Sequence, residues 1–159
     1  MTAETFERLY RAYFTQVYRY TLRLCGDEQT AQDVTADTFF RAMTQLDSYR
    51  EAAAVSTWLC AIARNMWLSK LRRERRMLPK DPLPDATVPD GLQERVEASE
   101  ARDAIDRLPP PMRDVFLMRV DGGMAFADIG RLLGHTTNWA CVTYHRARER
   151  LKRELGEEA

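Results

Sequence analysis

With 159 residues, 45% of them hydrophobic and 30% charged, the chain has room for one ordinary domain or two very small ones, and too much apolar content for wholesale disorder. No stretch approaches the ~20 consecutive apolar residues of a membrane span, and the N-terminus has no signal-peptide apolar core, so an intracellular, cytoplasmic protein is expected. Charge balances to zero over 24 basic and 24 acidic residues, but the signs are segregated along the chain. Arg64, Lys70, Arg72, Arg73, Arg75 and Arg76 stand against Glu74 alone, and Arg146, Arg148, Arg150, Lys152 and Arg153 crowd the C-terminal stretch. Between them, residues 80–106 hold three bases and eight acids. Two basic patches separated by an acidic connector are an electrostatic footprint for a polyanion.

In chain order, Phe6, Leu9, Tyr10, Tyr13, Val17, Tyr20 and Leu24 recur at three and four residues, which predicts an amphipathic first helix. Gly26 suits its C-terminal stop and Asp27 the cap of the next. The second helix is expected to run to about Leu46, with Ala36, Phe39, Phe40, Met43 and Leu46 on its buried side. Asp47 to Ser56 breaks the periodicity. Ser56 can then cap a third helix whose core stripe is Trp58, Leu59, Ile62, Ala63 and Met66, with Trp67 pointing away from it.

Pro79, Pro82, Pro84 and Pro89 cannot lie inside a helix and mark a linker. The expected organisation is all-α, with a helical domain over 1–77, a Pro-rich linker over 78–93 and a second helical domain over 94–159. In that second domain, helices are expected near Glu94–Leu108, from Pro109-Pro110-Pro111 to about Val120, over Phe126–Leu133 and over Thr136–Leu155, with Gly134 as a left-handed stop. A short helix, a Gly-containing turn and a longer basic helix make a helix-turn-helix. Ile129, Leu132 and Leu133 would pack on Val142 and the Ala140/Ala147 side of the last helix.

Each unit offers chemistry suited to DNA. The polar start of the last helix, Thr136-Thr137-Asn138-Trp139, would enter a major groove, with Arg146 and Arg148 on the flanking phosphates. In the third helix Trp58, Asn65 and Arg72 share one side, offering a π-face, an edge partner and a cation for unstacked bases. Core packing for Trp58 and a boundary position for Asn65 are the alternatives that spacing leaves open. Asp33 and Asp37, one turn apart with Arg41 beyond, are either an acidic docking face or a solvated side. No GxxxxGK[ST], GxSxG or HExxH motif is present, so neither enzyme activity, a small-molecule substrate nor a cofactor is expected. Cys25, Cys60 and Cys141 are widely spaced and, with His135 and His145 the only histidines, build no expected metal shell.

The residues also carry a resemblance. Phe6-Glu7-Arg8-Leu9-Tyr10, Gly26-Asp27, Ala31-Gln32-Asp33-Val34, Asp37-Thr38-Phe39-Phe40-Arg41-Ala42, Thr57-Trp58-Leu59 and Ile62-Ala63-Arg64-Asn65 resemble region 2 of the extracytoplasmic-function (ECF) sigma factors. Leu108-Pro109, Arg113, Val115-Phe116-Leu117, Arg119, Phe126-Ala127-Asp128-Ile129, Leu133-Gly134 and His145-Arg146-Ala147-Arg148 are similar to region 4. The resemblance implies an alternative sigma factor that binds core RNA polymerase and directs it to promoters. It implies docking of the helix with Asp33, Asp37 and Arg41 on the β′ clamp helices, and of region 4 on the β flap. It assigns Tyr49, Arg50, Trp58, Arg64, Asn65, Lys70, Arg72 and Arg73 to the −10 element. Arg119, Thr136, Thr137, Asn138, Trp139, Thr143, His145, Arg146 and Arg148 fall to the −35 duplex. It also implies an anti-sigma partner, often membrane-bound. Cys141 departs from the pattern, standing where a base is usual. A helix-turn-helix regulator and a sigma-like adaptor without DNA recognition are the rival readings.

Overall fold

The computed structural model describes residues 3–45, 54–77 and 96–156, which form seven helices and no strand. The first three, α1 (Ala3–Cys25), α2 (Glu28–Thr44) and α3 (Val55–Met77), pack mutually as a three-helix unit. Then come α4 (Val96–Asp106), α5 (Pro110–Val120), α6 (Phe126–Leu133) and α7 (Thr137–Glu154). Among these, α7 is the hub on which α4, α5 and α6 lie. The expected linker and the Asp47–Ala53 part of the expected loop, with Tyr49 and Arg50, lie outside the described residues.

The corner between α1 and α2 follows its sequence signals. Gly26 adopts φ +74°, and the Asp27 carboxylate accepts both the backbone N–H (2.9 Å) and the hydroxyl (2.7 Å) of Thr30. Those bonds hold the Asp27 carboxyl below its ordinary pKa.

The rotation of α2 differs from expectation. Its buried residues are Ala31, Val34, Thr35, Thr38, Phe39 and Ala42, whereas Ala36 is exposed and Phe40 and Met43 are 63% and 39% exposed. Buried threonines are tolerated because a helical hydroxyl can bond the carbonyl one turn back. Thr38 Oγ1 donates to Val34 O and Thr21 Oγ1 to Val17 O, both at 2.7 Å. The other differences are smaller: α3 starts at Val55, so Ser56 is inside it, and Trp67 packs partly buried against the core.

The two helical units are packed together and share a core. Val17, Tyr20 and Leu24 of α1 and Leu59, Cys60 and Ala63 of α3 belong to one buried cluster with Val115, Leu117, Met118, Met124 and Ile129. Polar contacts edge the seam: Arg64 pairs with Asp114 (3.3 Å), Arg23 with Asp121 (3.9 Å), Gln16 Nε2 donates to Gly122 O (3.1 Å), and Arg113 Nη2 donates to Arg23 O (3.1 Å). Burial, with the nearby Cys60, pushes the Tyr20 phenol far above its normal pKa. Burial likewise raises the Cys25 and Cys60 thiols to about 12, so both remain unreactive.

Two glycines shape the helix-turn-helix by different means. Gly134 ends α6 at φ +76°, a left-handed cap. Gly130, inside α6, lies so near the turn that an added Cβ would stand 2.6 Å from Thr136 O and 2.8 Å from Thr136 C. Those obstacles are backbone and have little freedom to yield. Gly130→Ala should therefore cost about 1–3 kcal/mol by overpacking and weaken the DNA binding expected of the helix-turn-helix as the turn is displaced. Gly134→Ala, strained only in φ, should cost about 1–2 kcal/mol and disturb DNA binding less. Denaturant titration and DNA binding of the two variants test this ordering.

The seam carries a second, pH-dependent expectation. Burial raises the Asp121 carboxyl above its ordinary pKa, against the lowering pull of Arg23 and Arg19. The folded chain thus holds this proton more tightly than the unfolded chain does. Stability contributed at low pH is lost as pH rises from about 4 through the raised folded value. Asp121→Asn should be more stable than the parent at pH 7, with the difference shrinking as pH falls to 4. A parent more stable than the variant at pH 7 would mean that the Arg23 pair outweighs the burial cost.

Candidate nucleic-acid interface

α7 begins with a cap that fixes its tip. Thr136 adopts an extended conformation and its hydroxyl accepts the Trp139 N–H at 3.0 Å. His135 stacks on the Trp139 ring (centroids 3.8 Å apart, planes 11°), which braces the turn against the first turn of the helix. The inner stripe of α7 is Ala140, Thr143, Ala147 and Leu151. Thr137, Asn138, Val142, His145, Arg146 and Arg148 are all exposed, and Cys141 is half-buried.

This rotation corrects two expectations. Thr143, assigned to DNA, is 8% exposed and faces inward, while Val142, assigned to the core, is 38% exposed. Leu132 is likewise 38% exposed, while Ile129 is fully buried and Leu133 packs partly buried against the core. Arg119 is half-buried: its guanidinium lies 4.2 Å above the Phe126 ring and Nη1 donates to Met124 O at 2.9 Å. It clasps the α5–α6 corner, and any DNA contact must use its remaining donors.

On the first unit, Asn65 is exposed and lines an open hollow of about 440 Å³ with Arg41, Gln45, Ile62, Met66, Ser69 and Arg73. Arg41, grouped by sequence with the acidic face of α2, thus stands at the Asn65 site. Arg72 is exposed and donates to Ser69 Oγ at 3.2 Å. Trp58 is half-buried against the core and is not among the residues that line the hollow. The structure does not bring Arg64 and Lys70 to this face. Arg64 turns to Asp114 across the seam, and Lys70 lies by Cys25 and Asp27 at the α1–α2 corner.

On α2, Asp33 and Asp37 are exposed, and Gln29 Nε2 donates to Asp33 Oδ1 at 3.3 Å. Phe40, three residues beyond Asp37 on the same face, is the most exposed of the large apolar side chains. The sequence pattern points Phe40 to the buried side instead. The available signal was the Phe39-Phe40 pair, since adjacent helical residues are 100° apart and a narrow buried stripe takes only one of them.

The chain matches the models of two sigma-factor regions, Sigma-70 region 2 over residues 9–77 and Sigma-70 region 4 over residues 98–151. It is 32% identical over 152 residues to the ECF RNA polymerase sigma factor SigM of Mycobacterium tuberculosis, covering 95% of this chain and 77% of the relative. It is 28% identical over 160 residues to the RNA polymerase sigma factor YlaC of Bacillus subtilis, covering 96% and 92%. Its fold is similar to that of the sigma factor RpoE in a complex with the anti-sigma factor NepR from Bartonella quintana (TM-score 0.79, 18% identity, 99% and 100% of the two chains). The chain belongs to the ECF family of RNA polymerase sigma factors. It spans 62% of the length of two other relatives. Its function is that of the family, promoter-specific initiation as an alternative sigma factor.

In this sigma factor the matched region 2 contains α1 from Leu9 onward and the whole of α2 and α3, and the matched region 4 contains α5, α6 and α7 as far as Leu151. No helix among the described residues is long and apolar enough to cross a membrane. The inward rotation of Thr143 gives a direct check. Thr143→Val removes one inward-facing hydroxyl and should cost at most about 1.5 kcal/mol, the net worth of one hydrogen bond, with −35 affinity kept within about twofold. A tenfold loss of affinity without unfolding would return Thr143 to the DNA.

Proposed function

We propose that this sigma factor uses α2 to dock on core RNA polymerase, α3 with the segment before it to hold the unpaired −10 element, and α7 to read the −35 element as duplex. One observation carries the reading: two exposed polar and cationic faces lie on different helical units. Asn65 with Arg41 and Arg73 forms one, and Thr137, Asn138, His145, Arg146 and Arg148 form the other. The first is a hollow that admits a flipped base, with an amide for its edge and cations for the neighbouring phosphates. The second is a helix N-terminal half, the part of a helix-turn-helix that meets base edges. Tyr49, Arg50, Trp58 and Arg72 complete the −10 set; Arg64, on the seam with Asp114, and Lys70, at the α1–α2 corner, are left out of it.

Parting of the seam is a geometric requirement. The two elements lie 25 base pairs apart by their own numbering, about 85 Å at ~3.4 Å per step. A compact fold of this length has a radius of gyration of only ~15 Å. The 18 residues from 78 to 95 reach ~60 Å when extended. The domain division is thus 1–77 for region 2, 78–93 for the linker and 94–159 for region 4, with the units moving apart on the polymerase.

On α2, Asp33, Asp37 and Phe40 form an acidic face around one exposed aromatic, the composition of a docking surface with a hot spot. The protein acts in the cytoplasm, has no catalytic role of its own, and is held in check by an anti-sigma factor. The similar folds of RpoE with NepR and of CnrH with the cytosolic domain of CnrY support that last element.

Run-off transcription from a genomic fragment library with purified core polymerase tests the whole reading. New start sites should arise only when this chain is added, and their absence would sink it. Asn65→Ala should impair open-complex formation while sparing −35 binding, whereas Phe40→Asp should weaken core binding by at least about tenfold with the fold intact. Equal loss of both DNA steps in Asn65→Ala would refute the division of labour.

A further inference from the structure

The inner stripe of α7 sets what its outer line must be. With Ala140, Thr143, Ala147 and Leu151 buried, the opposite line at helical spacing is Asn138, Val142, His145 and Glu149, all exposed. At 100° per residue, Arg146 and Arg148 fall on opposite flanks of that line, placed for the phosphates on either side of a groove. The line ends in Glu149, whose carboxylate disfavours the DNA backbone, so the groove-facing part is confined to its first residues. Val142 is the anomaly. It is a branched apolar side chain 38% exposed on a polar face. Its β-branch does not favour the helix, and the fold does not bury it.

We infer that Asn138 and Val142 set the −35 preference of this protein, Asn138 by bonding the edge of an adenine and Val142 by packing on a thymine methyl. The inference rests on the −35 role of α7 and specifies its chemistry. Asn138 is the second helical residue after the Thr136 cap, at the tip where recognition helices reach base edges. An Asn amide is complementary to adenine N6 and N7, and thymine alone presents a methyl group in the major groove. Four residues rise about 6 Å along α7, close to two base steps at ~3.4 Å each. The two residues therefore address pairs about two steps apart. Cys141, beside this line and without a charge, leaves the methyl contact to Val142 rather than competing with a base-directed cation.

The test uses the full chain with core polymerase on a promoter library randomised across the −35 element, with the run-off products sequenced. The parent should select adenine at one position and thymine at another. Asn138→Ala should lose only the adenine preference, and Val142→Ser only the thymine preference. On one selected promoter, replacing that thymine by deoxyuridine removes just the methyl group. This should reduce initiation by about fourfold in the parent and leave Val142→Ser unaffected. Replacing the adenine by 7-deaza-adenine should cost the parent about tenfold and Asn138→Ala nothing.

Because both side chains are exposed, thermal unfolding should be unchanged in either variant. Retained base preferences in both variants would overturn the inference while leaving the sigma-factor reading intact. Weakened core binding with retained thymine preference in Val142→Ser would overturn it by making Val142 a protein contact. Failure of any chain to start transcription would remove the −35 role itself.

Discussion

The apolar seam around the buried Tyr20, edged by the Arg64–Asp114 ion pair at 3.3 Å, is where the two helical units of this sigma factor constrain each other. Each unit alone is near the lower limit of size at which a single core suffices. Sharing Val17, Tyr20, Val115, Leu117 and Met118 enlarges that core. The apolar part of the seam is well filled, but its polar edge is not fully satisfied. Arg64 Nε is buried without a hydrogen-bond partner, and the half-buried Asp121 sits 3.9 Å from Arg23. Uncompensated burial of this kind costs on the order of 1–3 kcal/mol per group. The seam therefore holds by apolar contact and gives at its polar edge, which suits units that must separate to reach two distant DNA elements.

The elements that sequence reading located well are those with local punctuation. Gly26-Asp27, Gly134 and Thr136 each act within a few residues, through a left-handed backbone or a capping hydroxyl, and no tertiary partner is needed to recognise them. What sequence reading missed was the rotation of helices about their own axes. In α2 a stripe through Phe40 and Met43 competes with one through Thr35, Thr38 and Ala42, and the second is buried; the Thr38 hydroxyl bonds Val34 O within the helix, while the Thr35 hydroxyl is buried without a hydrogen-bond partner. In α7 the same confusion exchanged Val142 with Thr143. Polarity misleads where a hydroxyl is satisfied locally and where an apolar side chain faces outward, as Phe40 and Val142 do.

The candidate site was partly legible for a related reason. Asn65, Arg73 and the start of α7 lie on exposed faces that composition and spacing could point to. Arg64 and Lys70 belonged to the same basic run, yet helical geometry sends them elsewhere. A charge run in sequence states how many cations a segment has, and only the fold decides which of them face outward. Gly130 left no sequence signal at all, since its demand comes from the Thr136 carbonyl six residues on.

The zero net charge, which taken whole argues against a DNA-binding protein, is resolved by where the acids go. Asp106, Asp114, Asp121, Asp128 and Glu154 pair with Arg113, Arg64, Arg23, Arg131 and Arg107, away from both proposed DNA faces. Among the described residues, Arg73 by the Asn65 hollow and Arg146 and Arg148 on α7 have no carboxylate partner. Folding thus sharpens the segregation already present in the chain. Four of these five acids tie one element to another, Asp128 pairs within α6, and Arg73, Arg146 and Arg148 are left for the two faces that a bipartite promoter reader needs. A polyanion is attracted by the local potential of such faces, not by the sum over the molecule. Neutrality overall then has a consequence of its own: attraction is confined to two patches, which limits non-specific coating of DNA and favours binding in one register.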